Sequence, residues 1–319
     1  MFTESSGGVY DTGSLQLAPP SLFRSHVLPG AAMARACGNC KHAGLPCLRI
    51  LKRMMSSTSP SQKPVLVVTG ASAGIGEAIA RRFAAGGFRI VAVARRQDRL
   101  DRLVKDLAGI TDIVALAADV TAADAPERAV ELATNSFGRL DCLVNNAGSG
   151  KWAAVHETDD GMLNEVIDIS LKAPFRFCRA ALRVMGPGAS IINVGSVFGV
   201  LGGLNGGIYC AVKAGLIGLT QTLAAQYGAN GIRSNLVAPG VIKTGMTKDY
   251  WDTPGFQRVN QEMTPLNRDG TCEDVANAVF FLASEQGSYI NGQTLALDGG
   301  WSTTKYLSHS ALACRRVED

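Results

Sequence analysis

A glycine-rich turn between an apolar run and a helical stretch constrains the fold of this chain more than any other feature. The run Val65-Leu66-Val67-Val68 is typical of a strand buried on both faces of a parallel sheet. It continues into TGASAGIG over residues 69–76, and residues 77–85 then follow a helical pattern. Such a turn brings backbone N–H groups close to a pyrophosphate at a helix N-terminus. The candidate cofactor-binding residues of the turn are Thr69, Gly70, Ser72, Gly74, Ile75 and Gly76.

Strand-like and helix-like segments alternate through the rest of the chain. Strands are predicted over residues 65–68, 89–94, 113–116, 140–144, 190–194, 232–237 and 293–297. Helices are predicted over residues 77–85, 125–135, 162–185 with a break at Pro174, 209–227 and 272–283. This βαβ spacing predicts an α/β fold, a Rossmann-like doubly wound parallel sheet with helices on both faces. Ligands of such sheets bind beyond the carboxyl ends of the strands, where the motifs of this chain lie.

The end of the second strand indicates which dinucleotide the turn binds. An acid at this place would bind the ribose 2′-hydroxyl of NAD, but the chain has Ala94-Arg95-Arg96 and no acid before Asp98. Two guanidinium groups suit a 2′-phosphate, so Arg95 and Arg96 predict a preference for NADP(H) over NAD(H).

A tyrosine and a lysine four residues apart form a candidate proton-transfer site. On a helix, Tyr209 and Lys213 share one face, and a nearby ammonium favours the phenolate form of a tyrosine. Ser196 precedes Tyr209 by thirteen residues, and Gly202, Gly203, Gly206 and Gly207 between them allow the chain to fold back. A hydroxyl and a phenol could then meet across a substrate oxygen. The YxxxK spacing also occurs by chance in many helices. The catalytic interpretation of this pair therefore depends on the other motifs of the chain.

With these residues assembled, residues 64–301 resemble the classical short-chain dehydrogenase/reductase family. The similarity extends to Asp119, to NNAG over residues 145–148, to Pro239-Gly240 followed by Thr244, and to DGG over residues 298–300. The resemblance implies that Asp119 contacts the adenine, that NNAG steadies the sheet, and that the turn after Pro239 holds the nicotinamide carboxamide. The further cofactor-binding residues it implies are Asp119, Val120, Asn146, Ala147, Gly148, Tyr209, Lys213, Pro239, Gly240, Ile242 and Thr244.

The resemblance also implies a mechanism, the NADP(H)-dependent interconversion of a ketone or 3-oxoacyl carbonyl and a secondary alcohol. Tyr209 would exchange a proton with the substrate oxygen while hydride moves between the nicotinamide and the substrate carbon. Lys213 would lower the pKa of the tyrosine and bind the ribose, and Ser196 would bind the substrate oxygen. The family is usually a homotetramer or dimer, so the resemblance also implies a homo-oligomer.

One position departs from the family pattern. Ser170 stands where the family usually has an asparagine that binds a water of the proton relay, and a serine offers a single hydroxyl in place of an amide. Ser170 is therefore a tentative catalytic residue, and a catalytically weak or silent nucleotide-binding protein with a regulatory or scaffold role is the alternative. Residues 245–270 are predicted to be irregular, with Tyr250, Trp251 and Phe256 either lining the substrate site or packing as an ordinary surface loop.

Charge and composition set the remaining expectations. Of 319 residues, 46% are hydrophobic and 18% charged, as in a soluble enzyme. Residues 1–63 hold seven Lys/Arg and two Asp/Glu, whereas the rest is nearly balanced, so we expect no nucleic-acid partner and no membrane association. The basic leader, 1–63, is predicted to be disordered, the catalytic domain to span 64–301, and 302–319 to be a tail. A cytoplasmic location is expected, with a mitochondrial one as the alternative.

A cysteine motif in the leader offers a different class of function. Cys37 and Cys40 have CxxC spacing, with Cys47 and His42 nearby, which is half of a zinc site. No second CxxC follows, so we expect no metal and interpret these cysteines as incidental thiols.

Overall fold

The computed structural model describes residues 63–245, 247–251 and 253–304. The leader with its cysteine motif and the tail from residue 305 lie outside the described residues.

The described part of the chain is built on one sheet of seven parallel strands, in the order β3-β2-β1-β4-β5-β6-β7. The strands are β1 (Val65–Thr69), β2 (Arg89–Ala94), β3 (Ile113–Ala117), β4 (Cys142–Asn145), β5 (Ser190–Val194), β6 (Arg233–Pro239) and β7 (Thr294–Leu297). The chain crosses from β3, at one edge, back over β1 to β4, so the strand order reverses between β1 and β4. This confirms the predicted doubly wound sheet and puts its switch point at the carboxyl ends of β1 and β4.

Nine α-helices connect these strands in the described part of the chain. They are α1 (Gly74–Ala85), α2 (Gln97–Leu107), α3 (Ala125–Phe137), α4 (Asp160–Ile167), α5 (Ala173–Ala181), α6 (Gly207–Tyr227), α7 (Lys248–Trp251), α8 (Pro254–Glu262) and α9 (Cys272–Ala283). A π-helical turn, Asp168–Lys172, joins α4 to α5. The predicted break at Pro174 is therefore spread over the turn before it, and the proline lies in the first turn of α5.

The sheet separates two hydrophobic cores, and β1 contributes to both. Val65 and Val67 pack with α3, α5 and α6, whereas Leu66 and Val68 pack with α1, α2 and α9 on the other face. Successive strand residues point to opposite faces, so an uninterrupted apolar strand must be covered twice. This is the physical reason that the apolar runs in the sequence predicted helices on both faces.

Two segments differ from the prediction. Helix α2 was not predicted, although Leu100, Leu103 and Leu107 are buried at helical spacing. Residues 245–270, predicted to be irregular, contain α7 and α8.

The residues from Gly207 to Asn230 are the one described stretch that is long and apolar enough to cross a membrane, judged by length and composition alone. The sequence predicts no membrane association, and helix α6 covers one face of the sheet. Within the described part of the chain, 28% of the most apolar stretch of this helix is buried.

Candidate active site

The glycine turn lies at the switch point and is tied to the end of β4. The Thr69 hydroxyl accepts hydrogen bonds from the backbone N–H groups of Asn146 (3.0 Å) and Ala147 (3.1 Å). The Asn146 side-chain amide donates to the Thr69 carbonyl at 2.9 Å. The β1 and β4 ends are thereby held in register, which accounts for a steadying role of the residues 145–148.

Two glycines of the turn have no room for a side chain. A Cβ on Gly76 would lie 2.3 Å from the Gly70 carbonyl oxygen, and Gly70 itself has φ +70°. The N-terminus of α1 therefore packs directly on the turn, with the backbone uncovered at Gly74, where φ is +58°. This bare helix N-terminus fits the pyrophosphate of a dinucleotide. Ser72 and Ile75 lie on the same turn.

At the end of β2, the two arginines have different partners. The Arg96 guanidinium donates to the Ser72 hydroxyl at 2.8 Å, which brings the glycine turn and the β2 end together. Arg95 is exposed and lies 3.8 Å from the carboxylate of Asp119. The Thr121 backbone N–H and hydroxyl both donate to Asp119, and the backbone bond is the main reason that the pKa of this carboxyl is lowered.

Helix α6 carries Tyr209 and Lys213 on one face beneath the end of β5. The Lys213 ammonium is buried, donates to the Val194 carbonyl at 3.0 Å, and lies 5.7 Å from the centre of the Tyr209 ring. Burial lowers the pKa of Lys213 to about 8. An amine held this way keeps further donors for a ligand.

Ser196 and Tyr209 meet at the end of β5. Burial raises the pKa of the Tyr209 phenol, and interaction with the Ser196 hydroxyl opposes this shift in part. The net direction is opposite to the lowering expected from Lys213, because desolvation of the phenol outweighs a charge that is not in contact with it. The Ser196 hydroxyl also accepts from the Phe198 backbone N–H at 3.2 Å, which fixes its orientation.

Ser170 lies in the π-helical turn and is buried beside the site. Its hydroxyl accepts from the Ser149 backbone N–H at 3.2 Å. A Cβ placed on Gly148 would lie 3.8 Å from the Ser170 hydroxyl and 3.6 Å from the Lys213 ammonium, so both groups surround this glycine. The π-helical turn thus places Ser170 next to Lys213, and its catalytic role stays a prediction.

The residues after β6 reach the same end of the sheet. Pro239 pairs with Leu297 of β7, and the Gly240 N–H donates to the Leu297 carbonyl at 3.0 Å. Ile242 is buried, and the Thr244 side chain lies 3.5 Å from the position of a Cβ on Gly74. The turn after β6 thus borders the glycine turn. Val120, predicted from the same pattern, is buried after β3 in the core below the site.

Three aromatic residues that the sequence analysis missed line the site. Trp152 lies 5.2 Å from the Tyr209 ring, centre to centre, at an interplanar angle of 31°. Phe198 packs edge-on against Trp152 at 5.1 Å and against Trp301 at 5.7 Å. One sequence signal could have identified them: each follows the end of a strand (β4, β5 or β7), where ligands of such sheets bind. By contrast, Trp251 is buried against Phe256, the ordinary packing that the sequence left open.

The fold and the site are those of a nucleotide-binding enzyme, and the comparisons with known proteins agree. A family model described as Enoyl-(Acyl carrier protein) reductase matches residues 70–302. The (+)-borneol dehydrogenase 2 of Salvia officinalis is 36% identical over 76% of this chain and 90% of its own length. The 3-oxoacyl-acyl-carrier-protein reductase FabG of Escherichia coli is 37% identical over 74% of this chain and 96% of its own.

A solved structure is similar over about the same share of this chain. A short-chain dehydrogenase from Burkholderia cenocepacia, in complex with NADP, superposes with a TM-score of 0.70 at 32% identity, over 75% of this chain and 98% of that one. The chain therefore belongs to the short-chain dehydrogenase/reductase family of oxidoreductases.

Proposed function

We propose that this protein interconverts a carbonyl and a secondary alcohol with NADP(H), and that Tyr209 is the general acid and base. One observation carries the proposal: Lys213 is buried on the same helix face as Tyr209, whose phenol interacts with Ser196. Burying a charged ammonium group costs free energy because the group loses its hydration. The Lys213 ammonium has a protein acceptor, the Val194 carbonyl, for one of its three N–H groups. Such an arrangement is typical of a functional group, not of a stabilising one.

Each residue has a separate role in reduction. A nicotinamide cofactor bound at the glycine turn would supply the hydride to the carbonyl carbon. Tyr209 donates its proton to the carbonyl oxygen, which becomes the hydroxyl, and Lys213 stabilises the phenolate left behind. Ser196 donates a hydrogen bond to the same oxygen. Burial raises the pKa of Tyr209, so at neutral pH the phenol carries the proton that reduction requires.

The oxidoreductase proposal is tested by mixing the protein with NADPH and a panel of ketones and following NADPH consumption. Turnover of at least one ketone, absent when Tyr209 is replaced, is the expected result. Nucleotide binding without turnover of any carbonyl would instead support a catalytically silent protein, for which Ser170 in place of asparagine is the one feature in favour.

The preference for NADP(H) is supported by Arg96 and Ser72, which lie together where a 2′-phosphate would reach the β2 end. Replacing Arg96 by Ala is expected to raise the Kd for NADPH by about 10- to 100-fold, because a charge-assisted phosphate contact is lost. The Kd for NADH should change little. Both are measured by titrating nicotinamide fluorescence.

Arg99→Ala is the matched control for this experiment, because Arg99 is an exposed arginine on the outer face of α2. It should leave both affinities unchanged. If Arg96→Ala loses affinity for NADPH and NADH equally, the result would contradict a role of Arg96 in binding the 2′-phosphate.

A homo-oligomer is supported by an open groove between α5 and α6. The groove has a volume of about 300 Å³, and its lining includes Phe175, Leu182 and Leu219, with Phe175 half exposed. Apolar helix faces of this kind are usually covered by a partner. We propose that a second copy covers this one, which sedimentation of the purified protein would test.

A further inference from the structure

The three aromatic residues Trp152, Phe198 and Trp301, here called the aromatic wall, are placed to choose the substrate. Trp152 covers one face of the Tyr209 ring, and Phe198 joins it to Trp301. Phe198 and Trp301 also line an open cavity of about 100 Å³ together with Val197, the residue after Ser196, whereas Trp152 lies outside this lining. A substrate oxygen bound by Tyr209 and Ser196 therefore has its carbon skeleton beside this wall.

The wall is held rigidly, so its shape can discriminate between ligands. A Cβ on Gly203 would lie 2.9 Å from both the Trp152 and the Phe198 rings, and one on Gly206 would lie 2.6 Å from Trp152. The loop between β5 and α6 thus packs its bare backbone against the indole. A ring fixed in this way loses little conformational freedom when a ligand packs on it.

Two charged pairs border this end of the sheet. Lys151 forms an ion pair with Glu165, and Arg268 forms one with Asp274 at 2.7 Å. The loops that pack on the wall expose apolar side chains, with Leu204 91% and Val155 78% exposed. Lys151 and Arg268 are therefore already paired, whereas the apolar surface of the wall is open to an apolar part of the substrate.

The flat faces of the aromatic wall favour a rigid ring over an extended acyl chain. A flat aromatic face makes its largest contact with a rigid ring. A flexible chain would also lose more conformational freedom on the same surface.

We propose that the aromatic wall makes the substrate a neutral, ring-containing ketone or its alcohol, and that Trp152 is the residue that determines this specificity. The inference rests on the proposed oxidoreductase activity and chooses among its substrates. In the reductive direction, the ring carbonyl carbon gains a hydride from NADPH, and its oxygen gains the proton of Tyr209. NADPH is oxidised to NADP⁺ in the same step.

Cyclooctanone and octan-2-one test the proposal because they are neutral ketones with the same number of carbons, one cyclic and one linear. The wild-type protein should reduce cyclooctanone with the higher kcat/KM. Trp152→Leu should raise the KM for cyclooctanone by about 10-fold with a nearly unchanged kcat, because ring stacking is lost. The KM for octan-2-one should change far less, and Trp152→Phe, which keeps a ring, should restore most of the preference.

Gly206→Ala provides a second variant in case Trp152→Leu does not fold, because its added methyl group displaces the indole without removing it. It should reduce the preference for cyclooctanone, and the Kd for NADPH should stay unchanged in all three variants. An equal fall in kcat/KM for both ketones in Trp152→Leu would overturn the inference. A wild-type preference for octan-2-one or for a 3-oxoacyl thioester would also overturn it, and either result would leave the oxidoreductase activity standing.

If neither ketone is turned over, the inference is decided by binding, and the proposed function is decided by the wider panel of ketones. Calorimetric titration in the presence of NADPH should then still show tighter binding of cyclooctanone than of octan-2-one, and weaker cyclooctanone binding in Trp152→Leu. Equal affinities would refute the ring-binding role.

Discussion

Replacing Tyr209 by Phe is expected to lower kcat/KM for ketone reduction by about 10³-fold, the range found when a positioned general acid is removed. The change deletes one hydroxyl and keeps the ring that packs against Trp152. The Kd for NADPH should therefore stay nearly unchanged, and so should the melting temperature. Steady-state kinetics and a nucleotide titration on the same preparation separate these effects.

Tyr227→Phe is the control for this substitution. Tyr227 is the last residue of α6, and its ring lies in the groove between α5 and α6, away from the site. This variant should keep full activity. Normal turnover by Tyr209→Phe would remove the tyrosine from the mechanism, and equal losses in both variants would indicate a general effect on the helix.

Replacing Lys213 by Met is expected to abolish most of the activity and to stabilise the fold. The buried ammonium has its pKa lowered to about 8 from 10.5, which amounts to a cost of about 3 kcal/mol for holding the charge in the folded state. Methionine fills a similar volume and removes this cost, but it also removes the hydrogen bond to the Val194 carbonyl. The net gain in the free energy of unfolding near neutral pH should be about 2 kcal/mol.

The stability difference should depend on pH in a defined direction. Below pH 8, Lys213 is charged in both the folded and the unfolded chain, so the wild type carries the full cost. Between pH 8 and 10.5 the unfolded chain binds more protons than the folded chain, so the free energy of unfolding of the wild type increases with pH. The difference in this free energy between Lys213→Met and the wild type therefore decreases. Urea unfolding at several pH values measures this gap.

Lys105→Met is the reference for these titrations, because Lys105 is exposed in the last turn of α2. Because its side chain is exposed, its replacement should leave the free energy of unfolding nearly unchanged. A gap for Lys213→Met that widens on alkalinisation would contradict the burial of a charged ammonium.

The parts of the fold that the sequence predicted are those in which one local pattern has one structural solution. An uninterrupted apolar strand such as Val65–Thr69 must be covered on both faces, and the glycines after it leave a bare helix N-terminus. Helix α2 was missed because its surface is crowded with charge, and its three buried leucines are easily overlooked. The turn at Asp168–Lys172 was predicted only as a break, since proline signals an interruption but not its form.

The residues of the candidate site likewise form two groups: those that local sequence spacing identifies and those that only the fold brings together. Tyr209 and Lys213 were identified because their spacing within one helix fixes their relation. Trp152, Phe198 and Trp301 come from three loops more than forty residues apart in the chain, so only the strand order of the sheet brings them together. The direction of the Tyr209 pKa shift also required the structure, because it depends on how much water the packed loops exclude.

The π-helical turn at Asp168–Lys172 has a consequence for how this protein can change over time. A widened turn accommodates one residue more than a regular helix would, so the backbone there bulges without shifting the contacts of Phe177 and Cys178 in the core below. Ser170 is buried and its hydroxyl accepts from the Ser149 N–H, so small polar side chains that keep this hydrogen bond can replace it and change the chemistry next to Lys213. Removing a single residue from the same turn would convert it into a regular helical turn and keep the buried side of α5 against the sheet.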